Sequence, residues 1–140
     1  MTRLIGATTA GVLLALAALH VYWAAGGTWG TRVTVPERDG QPLFAPSIAA
    51  TLVVAALLLA AGGIVLGRLG VVAGTLPRWP FVAGTWVLFF VFAGRAIGDF
   101  RWIGFFKAPT PTAFARWDAW LYSPLCALIA CGCLVVALRD

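Results

Sequence analysis

Charge is what this chain has least of: 11% of its 140 residues are charged, only five of them acids, and there is a single histidine. A soluble domain carries about 25% charged and about 45–50% apolar residues. Here 61% are hydrophobic, which excludes an ordinary water-soluble core and points to a bilayer. Cysteine is scarce too. Cys126, Cys131 and Cys133 all lie in the last apolar run, and an odd number within one hydrophobic segment excludes a disulfide framework. No His, Asp or Glu lies between Cys126 and the terminal Asp140 to complete a tetrahedral metal set. No metal and no cofactor is therefore expected, and the thiols read as small hydrophobes. A contiguous basic stripe is also missing. The net charge of +5 comes from residues scattered among apolar runs, so nucleic acid is not an expected partner, whereas anionic headgroups are. There is no nucleophile elbow, phosphate loop or H-E-x-x-H. Gly26-Gly27 does not follow a strand, which excludes a dinucleotide fingerprint. Reaction and substrate stay unread.

What is present is apolar length. An uncharged run of about 18 residues or more reads as a spanning helix. Four such runs predict an all-α integral membrane bundle of four transmembrane helices, a single domain with spans at about 4–25, 46–66, 79–97 and 118–138. Arg95 falls in the last turn of the third span, where it can snorkel or pair. Pro124 is tolerated near the start of the fourth. Arg3 before an apolar stretch resembles a signal peptide. The stretch exceeds the usual core of roughly 7–15 residues and His20-Tyr22-Trp23 fits a cleavage region poorly, so retention is expected.

Four spans put both termini at one end of the bundle. That end carries Arg3, Arg68, Arg78 and Arg139 with Asp140. The opposite end carries Arg32, Arg38, Arg95, Arg101, Lys107 and Arg116 with Glu37, Asp39, Asp99 and Asp118. Counted on Lys and Arg alone, the positive-inside rule favours the second end as cytoplasmic. We nevertheless expect a multi-pass cell-membrane protein with cytoplasmic termini, because the basic residues opposite are interleaved with acids that can pair with them. Gly63 with Gly67, and Gly70 with Gly74, form G-x-x-x-G patterns that let a neighbouring helix approach closely. Trp23, Trp29, Trp102, Trp117 and Trp120, with Tyr22 and Tyr122, gather at the end away from the termini, where Trp79 is nearly alone at the other. An interfacial belt explains most of them but not the asymmetry. HVYWAAGGTWG closes the first span and RAIGDFRWIG the third, while FAPS opens the second and FARW the fourth. This suggests a weak tandem repeat of helix pairs.

The chemistry-bearing residues collect at the aromatic end. Arg95 and Asp99 stand four apart and can pair on one helix face, and Asp118, Tyr122 and Cys126 form a second row at the same spacing. With His20 they can converge at the bundle mouth, walled by aromatics and rimmed by Glu37, Arg101 and Lys107. Ionisable groups at membrane depth are costly unless paired and are functional candidates by default. His20 can exchange protons, Asp99 or Asp118 can act as acid or base, and Arg95 or Arg101 can grip a phosphate or carboxylate. The structural alternatives are an Arg95–Asp99 pair closing a helix end, Asp118 as an N-cap, and His20 bonded to a backbone carbonyl. The candidate ligand-binding residues are thus His20, Tyr22, Trp23, Arg95, Asp99, Arg101, Asp118 and Tyr122, with no catalytic role assigned.

HVYWAAGGTWG, FAPS, RAIGDFRWIGFFK and FARWDAWLYSPLC together resemble a small bacterial family of four-span integral membrane proteins catalogued only as a domain of unknown function. The resemblance runs from Leu4 to about Leu138. It implies four spans and a bacterial membrane, and supplies no activity and no site residues. The leading functional expectation is an aromatic-walled polar pocket at one face. It would bind a lipid or apolar small molecule, with acid–base chemistry available. A second is a transporter of protons or a small solute working as a homodimer, one form of the possible homo-oligomer, disfavoured by spans that are apolar at their centres. A third is a structural or assembly subunit of a membrane complex.

Overall fold

The computed structural model describes residues 1–38, 41–72 and 76–139. Four helices are long and apolar enough to cross a membrane: Thr2–Ala24, Ile48–Arg68, Trp79–Ile97 and Ala113–Ala137. They alternate in direction and pack in a ring, first on second, second on third, third on fourth and fourth on first. The first and second spans end alike. Beyond Ala24, Gly26 at φ 96 donates to Trp23 O and Gly27 to Tyr22 O. Beyond Arg68, Gly70 at φ 79 donates to Gly67 O and Val71 to Leu66 O. Both are Schellman closures, which satisfy carbonyls that a helix end would otherwise leave bare. At the opposite termini, Ser47 Oγ accepts from Ala50 N at 3.1 Å and Thr112 Oγ1 from Ala115 N at 3.1 Å, each capping the helix that follows. A minimal antiparallel ladder pairs Glu37 with Pro42 and Arg38 with Gln41 in the connection between the first two spans.

The fourth span starts five residues before Asp118, so Asp118 is not its cap. It lies inside a π-helical turn, Asp118–Tyr122, between α-helical Ala113–Trp117 and Ser123–Ala137. Pro124 is the physical reason. It has no N–H to give to the carbonyl four residues back, and its ring crowds that carbonyl. A widened turn, closed by Ser123 N on Asp118 O, absorbs both defects.

Ala10, Leu13, Ala61, Val65, Leu69, Ile129, Cys133 and Val136 form the buried core, with Leu88, Phe89 and Phe92 of the third span packed against it. Small residues set the helix separations, but not in the expected pattern. Gly62, rather than Gly63, faces the first span: a Cβ there would lie 2.9 Å from Leu14 Cδ2. Gly63 has nothing within 4 Å, and Gly67 meets Phe81 of the third span. Gly70 belongs to a helix closure instead of a packing face, and Gly74 lies outside the described residues. Thr9 and Thr85 are buried with their hydroxyls given to Ile5 O at 2.9 Å and Phe81 O at 3.0 Å, so neither exposes an unpaired group to the apolar interior. Cys126, Cys131 and Cys133 are free thiols.

Candidate functional site

The aromatic end of the bundle holds two separate polar arrangements. The larger is built around Asp118, whose side chain is 0% exposed. Arg95 Nη2 donates to Oδ1 at 2.7 Å. On Oδ2 converge Gly104 N at 2.9 Å, Lys107 Nζ at 3.0 Å and Ser123 Oγ at 3.2 Å. A buried carboxylate is tolerated only when its lone pairs are filled and its charge is matched, and four donors including two cations meet both conditions. The π turn contributes directly. Residues five apart point well away from each other on an ordinary helix, and the widened turn brings Ser123 back over Asp118. Two cations on one anion leave the group with a net positive charge, and Arg95 Nη1 is buried without a protein acceptor.

Arg95 therefore pairs across to the fourth span, not with Asp99. The reason is local. The third helix stops at Ile97 and Gly98 leaves at φ 94, so the i,i+4 register that would join Arg95 to Asp99 ends before Asp99 is reached. Asp99 Oδ1 instead accepts from the backbone N–H groups of Ile103 at 3.0 Å, Trp102 at 2.7 Å and Arg101 at 2.9 Å. The bond from Ile103, joined by those from Trp102 and Arg101, holds its carboxyl below the ordinary value of 3.8 against the opposing effect of desolvation. These bonds fix a compact loop in which Phe100 adopts φ 61, a strained value for a bulky residue. The loop folds back so that Phe105 N and Phe106 N satisfy Ala96 O and Ile97 O at 2.8 and 3.3 Å. Gly98 and Gly104 come into backbone contact at the fold.

The second arrangement is a groove of about 550 Å³ between the end of the first span, the following loop and the start of the second. His20, Trp23, Thr34, Phe44, Ser47 and Thr51 line it. His20 Nδ1 sits 2.8 Å from Leu16 O and its ring meets Trp23 edge-on at 5.0 Å.

The remaining sequence-derived residues divide between these two places or serve the loops. Tyr22 packs over Gly27 and accepts from Trp29 N at 3.4 Å. Arg101 is exposed, with its guanidinium 5.3 Å from the Trp102 ring centre. Tyr122 donates to Val33 O at 3.1 Å and ties the π turn to the first connection. No hydrogen bond or ion pair joins His20 to Asp118 among the described residues. Lys107, expected at a rim, is a central partner of Asp118, and Gly104 and Ser123 join it there without belonging to any recognisable motif. A serine immediately before a proline inside an apolar run was the one sequence signal for Ser123.

The family described as protein of unknown function (DUF3995) matches residues 13–133. No curated protein and no solved structure gives a match to this chain.

Proposed function

We propose that this chain, which belongs to the DUF3995 family of proteins of unknown function, binds an apolar molecule bearing a hydroxyl or N–H donor in the groove beside His20. One observation carries the reading: the groove's polar atoms have already given away most of their hydrogens. Thr31 donates to Thr28 O, Thr34 to Thr31 O and Thr51 to Ser47 O, each at 2.9 Å. Trp23 Nε1 donates to Trp29 O at 2.8 Å. Leu16 O can only accept, which assigns the hydrogen of a neutral His20 ring to Nδ1 and leaves Nε2 as an acceptor. Lone pairs walled by Trp23 and Phe44 suit an uncharged amphiphile with a donor at its head. The volume is within the usual range of about 300–1,000 Å³ for small-molecule sites. Acid–base turnover normally needs a second group, and His20 is the one ionisable side chain in this lining among the described residues. Binding is thus better supported than catalysis.

The test is small-molecule mass spectrometry on protein purified in detergent. A donor-bearing apolar species should accompany the wild type and fall roughly tenfold or more with His20→Phe, which leaves the ligand's donor buried and unpaired. Identical profiles for wild type and variant would remove the ligand from this groove.

For orientation we place both termini in the cytoplasm of a cell-membrane protein. Arg95 and Lys107 are committed to Asp118, and setting them aside leaves four basic residues at each end. The count no longer opposes the assignment. In a chain with its three cysteines replaced by Ala, an impermeant thiol reagent applied to intact cells should label Thr34→Cys and spare Val72→Cys. The reverse pattern would invert the bundle.

A further inference from the structure

A second groove, of about 530 Å³, opens between the loop that follows the third span and the first turns of the fourth. Its lining includes Phe105, Lys107, Arg116 and Trp120. It differs in kind from the His20 groove, because it offers hydrogens where the other offers lone pairs. The Arg116 guanidinium has no protein partner among the described residues. Lys107 Nζ gives two of its three hydrogens, to Gly104 O at 3.2 Å and Asp118 Oδ2 at 3.0 Å, which leaves one available. Asp118 is the nearby carboxylate, and with Arg95 and Lys107 both on it this group remains positive.

Depth then selects among anions. Arg116 belongs to the first turn of the fourth span, which starts at Ala113, and the end of a spanning helix lies near the membrane interface. Trp120 lies about one turn deeper, some 6 Å along the axis, and is 85% exposed. Charge above and a bare indole below match a molecule that is anionic at its head and apolar beneath. A small soluble anion would use only the upper half.

We propose that this groove holds the headgroup phosphate of an anionic lipid between Arg116 and Lys107, with the upper acyl chain lying along Trp120. The experiment uses the full chain in nanodiscs of phosphatidylcholine containing a small fraction of bromine-labelled lipid. The readout is the part of the tryptophan quenching that disappears in Trp120→Phe. Brominated phosphatidylglycerol should quench Trp120 well beyond brominated phosphatidylcholine at the same mole fraction. Arg116→Gln should cut that preference about fivefold, the weight of one cation at an anionic headgroup, and Arg116→Lys should retain most of it. Equal quenching by the two lipids overturns the proposal, as does a preference that survives Arg116→Gln. Inorganic phosphate is then added against chloride at equal ionic strength, to keep general screening constant. Loss of the preference in phosphate alone would assign the groove to a soluble phosphate and overturn the lipid assignment, whereas persistence supports the lipid.

Discussion

Asp118→Ala should destabilise the bundle by about 3–5 kcal/mol, because it strands two cations that were taken out of water on the strength of one carboxylate. Lys107 is 9% exposed at its side chain and Arg95 29%, so neither can recover full hydration without leaving its place. The loss extends to Gly104 N and Ser123 Oγ, both of which donate to Asp118 Oδ2. Asp118→Asn should recover little, since an amide nitrogen would face a set of donors with a donor of its own. The diagnostic companion is the triple variant Arg95→Met, Lys107→Met, Asp118→Leu. Apolar replacement of a whole buried ionic group is often neutral or stabilising, so the triple variant should regain most of what the single one loses. Reversible unfolding in mixed micelles, followed by circular dichroism, measures all three. A single-variant cost under about 1 kcal/mol would mean that the group behaves as a solvated surface pair. Failure of the triple variant to recover would mean that polar bonds, beyond charge balance, hold this end together.

The second large effect is expected at Gly104→Ala, at about 3 kcal/mol or more. Backbone strain supplies roughly 1–3 kcal/mol of it, since Gly104 sits at φ 92, a conformation that an L side chain rarely adopts. The rest is steric. A Cβ at Gly104 would press on Gly98 and on the Ile97 carbonyl, both backbone, so no flexible side chain can move aside. The same substitution displaces the N–H that Asp118 accepts, coupling loop strain to the ionic group. Gly94→Ala is the internal control. Gly94 is helical and has nothing within 4 Å of an added Cβ, so alanine there should stabilise by about 0.5–1 kcal/mol. Opposite signs for two glycines ten residues apart would establish that fold-back geometry, rather than glycine content, controls this end. Equal effects would contradict the contact between Gly98 and Gly104.

The four spans were legible in the sequence because hydropathy is summed over many residues and tolerates local error. The pairings were not, and the fourth span shows why. Reading charge as the limit of a span placed its start at Asp118, yet the helix begins at Ala113, because a carboxylate neutralised by two cations no longer behaves as a boundary. Arg95 and Asp99 stood at helical spacing, but their pairing required a helix that Gly98 brings to an end. Which partner Arg95 takes depends on how the third and fourth spans are rotated and on how the loop between them folds back. Neither is written in spacing along one segment. Likewise, the G-x-x-x-G spacing selects Gly63, and only the phase of the second helix decides that Gly62 meets Leu14 instead. Pro124 did carry a readable local signal, since a proline in a helix interior implies a disturbed turn before it.

The shared carboxylate also orders events during biosynthesis. The ribosome delivers Arg95 with the third span before it delivers the residue that will neutralise it. Until residue 118 emerges, that guanidinium has its position in the last turn of its helix to rely on, and it must stay among the headgroups. The third helix can be inserted at that stage, but its final seat against the fourth is withheld until the counter-charge arrives. Insertion of the third helix and neutralisation of its arginine are thereby separated in time.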